Sequence, residues 1–137
     1  MANVIVVGYD GAEGAQGALS AALELCSDLG AELVVVFGYG IPIPERQSKD
    51  YVDALREIGD KTTTEALERA AQSGVSATAE VVFLKAVPAL VDVAAKHDAR
   101  MIVVGSHGER ALAGALLGSV SHKLVHVAER PVLVVPS

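Results

Sequence analysis

The chain lacks the means for several common kinds of function. Cys26 is its only cysteine, so an intrachain disulfide and a cysteine-built zinc site are both excluded. Trp is absent and aromatics make up only 4% of the residues, which leaves Val, Ala and Leu to build the core. That mix suits helices packed on a sheet buried on both faces. Cations are in the minority, 11 Lys and Arg against 17 Asp and Glu, for a net charge of −6. Nucleic-acid binding calls for a cationic face that displaces counterions, and an anionic membrane surface makes the same demand, so neither partner is expected. No apolar run approaches the roughly 20 residues of a membrane span. Met1-Ala2-Asn3, followed by Val4–Val7, has neither the basic region nor the apolar length of a secretory leader, and a cytoplasmic location is the expectation.

What is present is more specific. At 137 residues the chain has the common size of one domain, and with no linker, low-complexity tract or internal repeat a single domain over 1–137 is expected. Five β-branched runs stand out: Asn3–Tyr9, Glu32–Gly38, Ser76–Leu84, Arg100–Gly105 and Pro131–Val135. Four are nearly continuous in Val, Ile and Leu, the pattern of strands buried on both faces, while Thr78–Leu84 is mixed and fits a strand nearer an edge. Between them lie apolar stripes at helical spacing. The first is Leu19, Ala22, Leu23, Cys26 and Leu29; the second, weaker, is Val52, Leu55, Gly59, Thr62, Ala66 and Ala70. Val87, Leu90, Val91 and Ala94 form a third, and Val120, Leu124 and Val127 a fourth. Strict alternation of strand and helix predicts an α/β fold, a single five-stranded parallel sheet flanked by four helices. Ligands of such folds bind beyond the carboxyl ends of the strands, where the strand order reverses.

Three stretches bear on that position. "GYDGAEGAQG" spaces Gly8, Gly11, Gly14 and Gly17 three apart, which never supplies the G-x-G pair of a dinucleotide fingerprint. A tight helix–strand approach accounts better for Gly14 and Gly17. Asp10 falls at the carboxyl end of the first strand, where it can accept hydrogen bonds from ribose hydroxyls or a base amine, cap the helix beginning near Gly11, or do both. "GSHGERALAGALLGSVS" follows the fourth strand. Gly105 and Gly108 let a ligand approach the backbone, and Gly118-Ser119 opens a helix whose free N–H groups and dipole suit phosphate. Ser119 and Ser121 add hydroxyls. The P-loop lysine is absent from the whole chain and Arg110 is the only cation in this stretch, so charge neutralisation falls to backbone dipoles and a magnesium ion. Read from the residues alone, an ordinary strand–helix loop remains an equal alternative. His107 either contacts phosphate or shapes the loop. His122 and His126 have the spacing of a helical metal pair, but they lie off the apolar stripe without a third ligand, and no metal site made by protein alone is expected.

"GSHGERALAGALLGSVSHKLVHVAERPVLVVP" resembles the C-terminal signature of the universal stress protein family, and "VIVVGYDG" resembles its N-terminal strand and turn. The resemblance implies the adenine nucleotide alpha hydrolase-like fold with strand order 3-2-1-4-5. Its spacing G-x2-G-x9-G-[ST] is that of the family's ATP-binding branch. It further implies that Gly8, Tyr9 and Asp10 flank adenine and ribose, that Val104 and Gly105 line the base and ribose side, and that Gly108, Gly118, Ser119 and Val120 hold the phosphates. His107, Arg110 and Ser121 are candidate further phosphate contacts by their place in the loop, not by the resemblance. Two positions depart from the family pattern: Gly38 stands where an apolar contact to adenine is usual, and Ala12 replaces a serine. The implied cofactors are ATP and Mg²⁺, and the implied partner is a second copy joined through the strand Pro131–Val135. The implied role is a nucleotide-dependent dimeric stress switch. No catalytic residue is assigned and at most a slow ATPase is expected, since no carboxylate or glutamine is placed to orient water and the lysine is missing. A sensor of AMP or cyclic AMP and a nucleotide-free interaction module are the alternatives.

Overall fold

The computed structural model describes residues 1–40, 48–106 and 119–136. Strands β1 (Ala2–Gly8), β2 (Glu32–Gly38), β3 (Ala77–Val82), β4 (Ala99–Gly105) and β5 (Val132–Val135) alternate with helices α1 (Glu13–Leu29), α2 (Lys49–Gln72), α3 (Ala86–Lys96) and α4 (Ser119–Val127). The strands form one parallel sheet in the order β3-β2-β1-β4-β5, as expected. Successive side chains on a strand point to opposite faces. Ile5, Val7, Leu33, Val35 and Val103 therefore pack in the core layer of α1 and α2, while Val6, Val34, Val36, Ile102 and Val104 pack in that of α3 and α4. This double burial is why the inner strands read as unbroken aliphatic runs. β3 lies at one edge and carries the mixed sequence. β5 lies at the other edge, so it is not buried on both faces as its composition suggested: Leu133 is 36% exposed.

The helical stripes hold in their centres and fail at their ends. Leu19, Ala22, Leu23 and Cys26 of α1 are buried, and burial pushes the Cys26 thiol up to about 11, which keeps it protonated and unreactive. Leu29 is 39% exposed because the helix ends there. Gly30 takes a left-handed conformation and the Ala31 N–H returns to the Cys26 carbonyl at 3.0 Å, a Schellman closure. α2 begins on Ser48, whose hydroxyl accepts the Tyr51 N–H at 3.2 Å. Its buried positions are Gly59, Thr63, Ala66 and Ala70, so Thr63 replaces the expected Thr62. The Thr63 hydroxyl is satisfied by donating to the Gly59 carbonyl at 2.9 Å. Leu124 of α4 is fully buried, whereas Val127 in its last turn is 48% exposed. Among the described residues no helix is long and apolar enough to cross a membrane.

Candidate functional site

The strand order reverses between β1 and β4, and a crevice of about 130 Å³ opens there beyond the strands' carboxyl ends. Two glycines shape it through close approach. A Cβ on Gly105 would lie 2.7 Å from the Gly14 carbonyl oxygen, so the start of α1 packs directly on the end of β4. A Cβ on Gly38 would lie 2.7 Å from the Leu84 oxygen and 3.1 Å from the Ala86 nitrogen. The segment leading into α3 thus leans over the end of β2, and backbone forms much of that wall. The expectation of tight packing holds for Gly14 and fails for Gly17, where an added Cβ would meet nothing within 4 Å.

The crevice brings together Gly8, Tyr9, Asp10, Gly38, Val104, Gly105, Val120 and Ser121, all singled out from the sequence. The Tyr9 N–H continues the ladder to the Val36 carbonyl at 3.0 Å, and the side chain is buried. Burial raises the Tyr9 phenol above its ordinary pKa against a hydrogen bond with the Gln16 side chain, which lowers it. Asp10 is exposed at the crevice mouth. Its Oδ1 accepts the Ala12 N–H at 2.9 Å, so it closes a local turn. The helix begins two residues later than expected, with Ala12 as its N-cap and no capping side chain; Asp10 is therefore not the cap. Ser121 is buried and its hydroxyl donates to the Ser106 carbonyl at 2.9 Å, tying α4 to the end of β4. Ser119 opens α4, is exposed and does not line the crevice. His107, Gly108, Arg110 and Gly118 lie outside the described residues.

Sequence reasoning missed Ala15, Val36, Phe37, Ala86 and Leu90, which make up the rest of the described lining. The positional signal was available: Val36 and Phe37 end a strand and Ala86 starts a helix at the same end of the sheet. Among the described lining residues Asp10 is the one charged side chain, set against an apolar slot. That combination suits a flat ring bearing hydroxyl or amine donors at its edge. The described lining holds no nucleophile–base pair. His122 and His126 are exposed with ring centroids 4.9 Å apart, and the described residues contain no group of three or more potential metal ligands.

A 3-2-1-4-5 parallel sheet with a crevice at its reversal point places the chain in the adenine nucleotide alpha hydrolase-like class of α/β proteins. Within that class the chain belongs to the universal stress protein family, whose pattern it matches over residues 1–136. It is 32% identical to the universal stress protein YxiE of Bacillus subtilis, over 98% of this chain and 99% of that protein. It is 30% identical to the universal stress protein Rv2005c of Mycobacterium tuberculosis over 95% of its own length, but spans only 44% of that longer chain. A universal stress protein solved in complex with cAMP superposes with a TM-score of 0.77 at 27% identity, covering 96% of this chain and 95% of the other.

Proposed function

We propose that this protein binds an adenine nucleotide, ATP with Mg²⁺, and acts as a homodimeric, nucleotide-dependent stress switch with little or no hydrolysis. The observation that carries the reading is the crevice at the β1/β4 reversal, apolar inside and with the Asp10 carboxylate at its mouth. At about 130 Å³ it lies below the ~300–1,000 Å³ typical of a complete small-molecule site, so it suits the base, with the rest of the ligand extending outward. Val36, Ala86, Leu90 and Val104 would contact adenine, Asp10 would accept from the ribose hydroxyls, and Ser119 at the start of α4 would meet the phosphates together with the 107–118 segment. Magnesium would supply the positive charge that the described lining lacks. With no described base near the phosphates, occupancy and not turnover carries the signal. The apolar strand β5, with its free edge, would join a second copy. The chain is proposed to work in the cytoplasm.

The solved relative in complex with cAMP favours one competing ligand, a cyclic mononucleotide that needs only the base and ribose part of the site. Mass spectrometry of nucleotide released from purified, denatured protein, followed by calorimetry with ATP, ADP, AMP and cAMP with and without Mg²⁺, separates these. ATP recovered from the protein and tightest in titration is the expected result. No released nucleotide and no binding of any of the four would sink the reading.

A further inference from the structure

The turn that presents Asp10 is braced from a helix that never reaches the crevice. Gly11 adopts φ +82°, a conformation open to glycine and easily deformed, and an added Cβ there would touch Thr62 Cγ2 of α2 at 3.4 Å. The Gly11 carbonyl accepts from Gln16 Nε2 at 3.4 Å. Gln16 Oε1 in turn accepts from Arg69 Nη1 of α2 at 2.9 Å, and Arg69 Nη2 donates to Ser20 Oγ at 2.6 Å. Gln16 and Ser20 are one helical turn apart on α1, so the planar guanidinium grips that helix at two points. The Ser20 hydroxyl donates to the Gln16 carbonyl at 3.1 Å, which closes the group.

The chemistry of the three side chains gives this chain a direction. Guanidinium can only donate, and a carboxamide has one acceptor end and one donor end. Arg69 therefore takes the oxygen of Gln16 and turns its NH2 group toward the Gly11 carbonyl. We propose that Arg69, acting through Gln16, is a positioning residue for the ligand: it fixes the orientation of the Gly11 peptide and with it the Asp10 turn. This rests on the reading that the crevice binds an adenine nucleotide. It adds that α2 participates in binding without touching the ligand.

Three variants separate positioning from simple structural support. Arg69→Met removes the donor and weakens ATP binding about tenfold, the scale of one charge-assisted hydrogen bond. Arg69→Lys keeps a donor for Gln16 and holds affinity within about threefold of wild type. Gln16→Glu strengthens the contact to Arg69 but removes the donor to Gly11, and with it the donor to the Tyr9 phenol; it keeps the wild-type Tm and loses about tenfold in affinity, and the Ala12 exchange below assigns the loss to the turn. A purely structural brace predicts that Gln16→Glu binds like wild type. Hydrogen exchange of the Ala12 amide, measured without nucleotide, rises in Arg69→Met and Gln16→Glu while β1 and β4 stay protected. Unchanged exchange at Ala12 in both variants overturns the inference whether or not the wild type binds nucleotide. Wild-type ATP affinity in Gln16→Glu also overturns it. A wild-type protein that binds no adenine nucleotide refutes the functional reading alone.

Discussion

The two ends of the sheet use polar groups in opposite ways. At the amino end, Asn3 Nδ2 donates to the Leu29 carbonyl at 3.0 Å, and Arg100 Nη1 donates to Asn3 Oδ1 at 2.7 Å. Arg130 Nη1 is shared between Asp98 Oδ1 at 3.1 Å and the Ala99 carbonyl at 2.8 Å, and the chain's amino group sits 3.7 Å from Asp98 Oδ2. These contacts tie β1 to the end of α1 and to β4, and the turns at Asp98 and Arg130 to β4 and to each other, and together they close that end. At the carboxyl end β1, β2 and β4 finish in glycines, the described walls of the crevice are apolar, and Asp10 commits one oxygen to its own turn. Its Oδ2 has no hydrogen-bond partner among the described residues. Among the described residues the amino end is stitched by charged and amide side chains, while at the carboxyl end Asp10 keeps hydrogen-bonding capacity that a ligand could use.

The sharpest way to break this contrast is Gly105→Val. The new Cβ meets the Gly14 backbone, which cannot swing aside as a side chain would, so the variant loses about 3 kcal/mol in urea denaturation and its nucleotide binding as well. Asp10→Ala should divide the two properties. Nucleotide affinity falls at least about tenfold by calorimetry, while stability changes by about 1 kcal/mol or less, because only the bond to Ala12 is lost from the fold. Acidification acts chiefly away from the crevice. Hydrogen bonding to Arg130, then the nearby amino group, holds Asp98 below the usual carboxylate range. Burial alone would raise Glu80 on β3, but its bonds to Lys96 and His97 outweigh that and lower it. Since both folded values lie below the unfolded ones, their stabilisation is complete above about pH 4.5 and is lost as pH falls through the lowered folded values. Denaturation midpoints should drop accordingly, with a shallower slope in Asp98→Ala. The smallest effect is that of Asp98→Ala at neutral pH. Asp98 is exposed, so Tm falls by only about a degree or two and the ATP titration curve does not move.

The strands and their neighbours were legible because a strand buried on both faces leaves no room for polar residues, as Val4–Val7 and Met101–Val104 show. Helix registers were less so. Thr62 and Thr63 are chemically identical, and only packing selects the second. Leu29 and Val127 continue their stripes in sequence but fall where the helix has run past the sheet. In the site, Asp10 and the glycines announced themselves by residue type and position. Leu90 and Val36 did not, since an aliphatic side chain that lines a crevice reads like one that fills the core. The cap that was one of the roles open to Asp10 is not realised: an Asp just before a helix suits an N-cap and an Asx-type turn equally well, and Gly11 decides between them.

The register of β1 carries a kinetic consequence. Its pairing with β2 and the closure at Gly30 join neighbours in sequence, so the β1–α1–β2 unit can form while the rest of the chain is still loose. Its pairing with β4, Val7 against Val103, spans most of the chain and must wait for a long loop to close. The crevice lies at that second seam, so it exists only once the slowest pairing is made. An occupied site then implies that the β1–β4 seam has closed, and a ligand that bridges β1 and β4 would slow unfolding more than it speeds folding.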